Sequence, residues 1–310
     1  MKEIKISPIF YMGCKKRLIL DGLINLFPKN IHNYYEPFAG SAIVAMNVNA
    51  DNYYINDINS HLFELYNMFI NYSADTIIEH INNRINEYEL PRERTKRDVY
   101  SDLKQIQKYK NLYISFRNYY NANPNILDFF TLNFFSFSQM FRFNSDNEYN
   151  MPFGADCYTK MHNIYIKNAI SFFNRSNVHL FNMSFDKFLE NIDINSFVYF
   201  DPPYLSTLAV YNENMYNNEF TWNDGWETKL RKLCDTLTEK GIRWGISNVF
   251  KNKDFYNESL IDWVNKNNYY VHHFKDHTYI ACGKGNANTD EVYIGNYPLR
   301  KLGFVPKKLF

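Results

Sequence analysis

The sequence predicts an α/β fold: a mostly parallel sheet flanked by helices and interrupted by a helical insert. Three observations carry this expectation. Short β-type runs alternate with helical patterns near the N-terminus, as they do in βαβ units. The strand signal then vanishes between about residues 74 and 141. Finally the alternation returns and closes on two strand-like runs joined by a polar loop. With 310 residues, the length suits about two domains, or one core with a large insert.

The first strand is expected at Tyr34-Tyr35-Glu36-Pro37-Phe38. It runs through Ala39-Gly40-Ser41 into a helix from about Ala42 to Asn49. Tyr53 to Asn56 reads as the second strand and Asn59 to Asn71 as the next helix. Ile77, Ile78, Ile81 and Ile85 then recur at helical spacing, as do Leu103, Ile106, Tyr109, Tyr113 and Phe116. Asn123-Pro124 breaks the pattern and Ile126 to Phe137 resumes it. Roughly 70–155 is therefore a helical insert. Val178 to Phe181 and Ser196 to Phe200 read as strands. A helix from about Asp224 to Glu239 ends at Lys240-Gly241, a C-cap signal. Ile242 to Ser247 is a further strand. Tyr269 to Phe274 and Glu291 to Asn296 close the chain as an antiparallel pair joined through Gly283-Lys284-Gly285-Asn286.

Apolar residues make up 45% and charged residues 22%, which excludes a disordered or collagen-like chain. No apolar run reaches the ~18 residues of a membrane span, and MKEIKISPIF carries no signal-peptide core. A cytoplasmic protein with no membrane partner is the expectation. Cys14, Cys157, Cys234 and Cys282 form no CxxC pair, so neither a zinc site nor a disulfide framework is expected. The net charge is +1, which can still hide a local patch. Basic residues cluster at Arg92, Arg94, Lys96, Arg97, Lys104, Lys108, Lys110 and Arg117, opposed by Glu93, Asp98 and Asp102. Arg300, Lys301, Lys307 and Lys308 follow near the C-terminus. Taken alone, each cluster reads as a solvated face.

Asp201-Pro202-Pro203-Tyr204 is the strongest chemical signal. It follows the buried-looking run Phe197-Val198-Tyr199-Phe200, at a strand end where open α/β sheets bind ligands. An adenine amine is a poor nucleophile because its lone pair is delocalised into the ring. Asp201 can accept one of its N–H bonds and the Pro202 carbonyl the other, which frees the lone pair. Prolines stiffen the backbone that presents this carbonyl, and Tyr204 can stack on an extruded base. The plainer alternative is a rigid turn. A second signal, Glu36-Pro37-Phe38-Ala39-Gly40-Ser41, lies where a nucleoside cofactor would sit, and Asn56-Asp57 follows at a spacing suited to ribose hydroxyls. A third, Phe10-Tyr11-Met12-Gly13-Cys14-Lys15, reads equally as a site loop or as a helix entry.

In this order, the motifs resemble the Dam-type DNA adenine-N6 methyltransferases, the alpha-order D12 class. The resemblance extends to Ser138-Gln139-Met140-Phe141-Arg142-Phe143-Asn144, Met151-Pro152-Phe153-Gly154, Ser247-Asn248-Val249 and Thr289-Asp290-Glu291-Val292-Tyr293-Ile294. It implies a Rossmann-like S-adenosylmethionine-dependent methyltransferase sheet with a terminal antiparallel strand. Residues 1–69 and 156–310 would form the catalytic domain and 70–155 the target-recognition domain. The donor would be S-adenosyl-L-methionine, with S-adenosylhomocysteine as product and no metal. Tyr11, Lys15, Glu36, Phe38, Gly40, Asp57, Ser184, Phe185 and Asp201 match cofactor-binding positions. Asp201, Pro202 and Tyr204 match the catalytic set. Phe137, Ser138, Met140, Arg142, Asn144 and Pro152 match the DNA-contacting segment. Within it, Phe137 would fill the gap left by the flipped adenine. Met140 and Pro152 would touch the following thymine, and Arg142 would read a guanine.

One departure stands out. Family members read the first guanine of GATC with a lysine or arginine at positions held here by Phe10 and Asp156. The implied target is therefore GATC or a related short motif, with Lys160 as a candidate substitute. The implied partner is double-stranded DNA, met by a monomer or by a dimer on DNA. The rival readings are an RNA-adenine or protein-amide methyltransferase and a catalytically silent DNA-binding or cofactor-sensing module. His272, His273 and His277 make a poor ligand set and read as surface or structural.

Overall fold

In the computed structural model, residues 4–11, 13, 15–93, 103–154, 156–205, 222–252, 255–274 and 289–299 are described. Several features named above lie outside the described residues: Met12, Cys14, Arg94, Lys96, Arg97, Asp98, Asp102, His277, Cys282, the Gly283–Asn286 loop and the C-terminal lysines and Arg300. Cys157 and Cys234 are buried.

The sheet is built from β1 (Ile31–Glu36), β2 (Ala50–Asn56), β3 (Val178–Phe181), β4 (Ser196–Phe200), β5 (Arg243–Asn252), the two-residue β6 (Phe255–Tyr256), β7 (Tyr270–His273) and β8 (Thr289–Gly295). Its order is β3-β2-β1-β4-β5-β8-β7, with β6 paired to β5. The first five strands in that order are mutually parallel. β8 is inserted antiparallel between β5 and β7, so the Rossmann-like sheet with an antiparallel closing strand is borne out. The chain moves from β1 outward to β2 and β3, then returns to place β4 on the other side of β1. This reversal makes the gap between the β1 and β4 ends a topological switch point, where such sheets bind ligands.

Most strand expectations hold within a few residues, because near-continuous apolar runs mark strands covered on both faces. β4 is the clearest case, with all five residues buried. The helix expected at Ala42 to Asn49 does not form. Ala42 takes a left-handed conformation, φ 56°, and the chain continues as turns. Ala42 to Met46 are all at most 3% exposed, so this segment threads the core and has no solvent face to make it amphipathic.

α1 (Lys16–Leu20) follows the N-terminal motif. α2 (Ser60–Asn71) is capped by the Asn59 side chain, which accepts from His61 N. The insert holds α3 (Ala74–Glu87), α4 (Leu103–Ala122) and α5 (Ile126–Asn133). Asp128, fully buried on α5, ties that helix to α3. It accepts from Arg84 Nε at 2.7 Å and lies 2.7 Å from His80 Nε2, both on α3. The insert and one face of the sheet share a single apolar core, in which Phe116, Phe129 and Phe134 join Tyr34, Ile55 and Phe197. Sequence periodicity missed α6 (Lys160–Phe173), α7 (Phe185–Phe188) and α9 (Glu258–Asn267), whereas α8 (Asp224–Glu239) falls where expected. Among the described residues, no helix is long and apolar enough to cross a membrane.

Candidate active site

The carboxyl ends of β1, β2 and β4 open into one pocket. Tyr11, Lys15, Glu36, Phe38, Gly40, Asp57, Ser184, Phe185 and Asp201 all line it. Gly40 takes the left-handed φ of +51° that the turn after β1 requires, and a Cβ there would lie 3.4 Å from the Tyr11 ring. Its N–H donates to Asp57 Oδ2 at 2.8 Å, and its carbonyl accepts from the Tyr66 hydroxyl at 2.6 Å. The other Asp57 oxygen accepts from Asn59 N at 2.9 Å. The Ile58 N–H also favours this carboxylate, which still keeps acceptor capacity for a hydroxyl donor.

The pocket is apolar at one end and acidic at the other. Phe38 packs on Phe185 at 5.3 Å and edge-on to Trp222 at 5.6 Å, with Trp226 5.8 Å from Phe185. Burial holds the Glu36 carboxyl well above the usual carboxylate range, although the Tyr34 hydroxyl donates to it. Burial also pushes Asp57 up to about 6, against the backbone N–H groups that favour its charge. Asp201 is likewise pushed up to about 6 by burial, opposed by Lys15 and reinforced by Glu291. An aromatic slot beside three carboxylates fits a ligand that joins a flat base, ribose hydroxyls and positive charge. These residues therefore suit S-adenosylmethionine.

Asp201 is held from one side. The Lys15 ammonium lies 2.9 Å from its Oδ1, and the Tyr204 hydroxyl donates to the same oxygen at 3.4 Å. Lys15, 3% exposed, also donates to the Tyr204 hydroxyl at 2.7 Å. Tyr204 is 2% exposed, and its ring does not line the pocket. Stacking on a base would require that ring to leave its present place. Pro202 is buried behind the strand end.

A family model for D12 class N6 adenine-specific DNA methyltransferases matches residues 11–280. The chain belongs to that family. It is 33% identical over 314 residues to modification methylase StsI of Streptococcus sanguinis, across 99% of this chain and 45% of that protein. It is 34% identical over 299 residues to the type II methyltransferase M.FokI of Planomicrobium okeanokoites, across 94% of this chain and 43% of that protein. A DNA adenine methylase of Haemophilus influenzae is 29% identical over 224 residues, across 70% of this chain and 71% of that protein. The chain thus spans under half the length of the first two relatives.

In this D12-class chain, the predicted DNA-contacting residues lie together in an irregular segment after α5. It is closed by bridges between Ser136 and Phe153 and between Phe143 and Tyr149. Phe137 N donates to the Pro152 carbonyl at 2.9 Å, so these two predicted residues are neighbours. Ser138 and Pro152 are exposed, while Phe137, Met140 and Arg142 are half-buried. Arg142 Nε donates to Asn150 Oδ1 at 2.8 Å. Asn144 serves the turn: its Oδ1 accepts from Asp146 N and Glu148 N, and its Nδ2 donates to Glu148. Phe10 packs edge-on to Phe134 and His162. The segment meets the pocket through Tyr11, whose ring lies 5.2 Å from Phe141.

Sequence reasoning missed Trp222, Trp226 and Glu291. The tryptophans follow a stretch without periodicity and gave no signal. Glu291 had one, as an acid at the head of the apolar run Val292-Tyr293-Ile294.

Proposed function

We propose that this chain transfers a methyl group from S-adenosylmethionine to the N6 amine of an adenine in double-stranded DNA, at GATC or a related short motif. The observation that carries this reading is the tethering of Asp201. Both of its contacts fall on Oδ1, and its Oδ2 has no hydrogen-bond partner among the described residues, at the edge of a pocket shaped for a cationic nucleoside. The relatives' names, modification methylases and a DNA adenine methylase, support the substrate class.

Phe38, Phe185 and Trp222 would hold the base of the donor, Asp57 its ribose, and the acidic end its positive charge. Bound there, S-adenosylmethionine would supply an electrophilic methyl group. The target adenine must leave the duplex, at a cost of a few kcal/mol. Asp201 Oδ2 then accepts one amine N–H and the Pro202 carbonyl the other, which localises the nitrogen lone pair for attack. Attack on that methyl group would leave S-adenosylhomocysteine and release a proton from the amine. Asp201, ionised above about pH 6, is an acceptor for it. As placed, Tyr204 supports Asp201 through its hydroxyl. Met140, Arg142 and Pro152 would meet the bases, and Phe137 the gap left by the flipped adenine. Exposed Lys104, Lys108 and Lys110 on α4 would supply phosphate contacts. Positioning and electrostatics would provide most of the rate.

Asp201→Ala should abolish transfer of labelled methyl groups to unmethylated plasmid DNA, while calorimetry still detects S-adenosylmethionine binding. Wild-type turnover in that variant would remove Asp201 from the reaction. Methylation of RNA but not DNA by the wild-type protein would favour the RNA reading.

A further inference from the structure

Behind Asp201 lies a carboxylate that the proposed reaction does not use. Glu291 on β8 is 3% exposed. Its Oε1 lies 3.7 Å from the Lys15 ammonium and 3.3 Å from the Tyr204 hydroxyl, whose single hydrogen it shares with Asp201 Oδ1. The β5–β8 pairing shifts register between Val249 and Lys251, directly opposite; such irregularities re-aim side chains. Along β8, Val292 and Ile294 point into one core and Tyr293 into the other. Alternation puts Glu291 on the Tyr293 side. A carboxylate at this depth is costly unless paired, and its partners are the two groups that hold Asp201 Oδ1.

We propose that Glu291 is a positioning residue: it anchors the Lys15 ammonium and the Tyr204 hydroxyl, so that Asp201 is gripped by Oδ1 and presents Oδ2 to the target amine. One cation thus serves two carboxylates. Lys15 is shared between Asp201 and Glu291, so Glu291 limits how strongly Lys15 favours the Asp201 charge. Around Asp201 the charged and titratable groups are Lys15 before α1, Glu291 on β8, Tyr204 beyond β4, Tyr199 on β4 and Glu36 on β1. Among them, Glu291 touches neither the pocket nor the site of attack.

This inference rests on the proposed methyl transfer, and the test separates the two. The measurement is the single-turnover rate of methyl transfer to unmethylated plasmid DNA at saturating S-adenosylmethionine, followed against pH. The wild type should lose rate as pH falls through about 6, where Asp201 takes up a proton. Glu291→Gln removes a negative charge that opposes ionisation of Asp201. Its acid limb should therefore move down by about one pH unit, with a plateau about tenfold lower. S-adenosylmethionine affinity should be unchanged. Glu291→Asp, which keeps the charge, should leave the limb in place and recover part of the rate. If Glu291→Gln does not fold, Glu291→Met supplies the same neutral comparison with an apolar side chain of similar length. A lowered rate with an unmoved limb would overturn the proposal, since a packing defect alone would do that. A wild-type rate and limb would overturn it too. A wild-type protein that binds S-adenosylmethionine but methylates no DNA would instead overturn the proposed function.

Discussion

Arg142 shows how much of the proposed recognition contact is already set within the chain. Its Nε is engaged by Asn150, eight residues on, which restricts the guanidinium fork to few orientations. A pre-oriented fork loses less entropy on binding the O6 and N7 edge of a guanine. Arg142→Ala should relax discrimination at one base pair, by roughly 1–3 kcal/mol. The check is methylation kinetics on duplexes that differ at single positions. A uniform loss over all sequences would make Arg142 a phosphate contact. Phe10 and Asn144 are both engaged within the chain itself. Phe10 holds a position where the resemblance implies a base-reading cation, and it packs against Phe134 and His162. Asn144 was matched to a DNA contact, yet its side chain builds the turn from 144 to 148. Motif matching preserves a residue's identity, whereas its hydrogen bonds are decided by neighbours that the motif does not include.

Among the elements, the strand ends were the most legible parts of the chain. β4 is apolar throughout and buried throughout, so its end and the Asp201 motif beyond it were placed correctly. The stretch from Ala42 to Met46 does not form the expected helix: an apolar run alone does not distinguish a buried helix from buried turns, and Ala42 enters it in the left-handed conformation. α6 and α9 carry apolar stripes, Ile166, Ala169 and Phe173 on the one and Leu260 and Val264 on the other, but both lie beside stronger strand signals. The segment from 134 to 154 has no period at all. It is held by Gly154, whose N–H donates to the Phe135 carbonyl at 2.8 Å. A Cβ at Gly154 would stand 2.3 Å from the Ser136 carbonyl oxygen, which is backbone and must shift. Gly154→Ala should therefore destabilise the segment by about 1–3 kcal/mol and weaken binding to duplex DNA. S-adenosylmethionine affinity should be preserved, because the pocket rests on the sheet. Gel-shift and calorimetric titrations check the two halves, and unchanged DNA affinity would contradict the proposed role of the segment.

At the scale of the molecule, the switch point between β1 and β4 explains why residues far apart in sequence meet. Glu36, Asp57 and Asp201 end three neighbouring parallel strands, and Lys15 reaches the same point from the N-terminal segment. The antiparallel β8 brings Glu291 to the far side of that cluster, a contact no motif spacing announces. The insert shares the apolar core under β1 and β2, so the proposed DNA-reading segment is braced against the sheet that carries the proposed chemistry. The most direct test of this account is to express the chain in a host lacking adenine methylation and map N6-methyladenine across its DNA at base resolution. The account predicts methylation at one short motif, with none when Asp201 is replaced by alanine. An unmethylated genome, in cells where the protein is folded and binds S-adenosylmethionine, would contradict it.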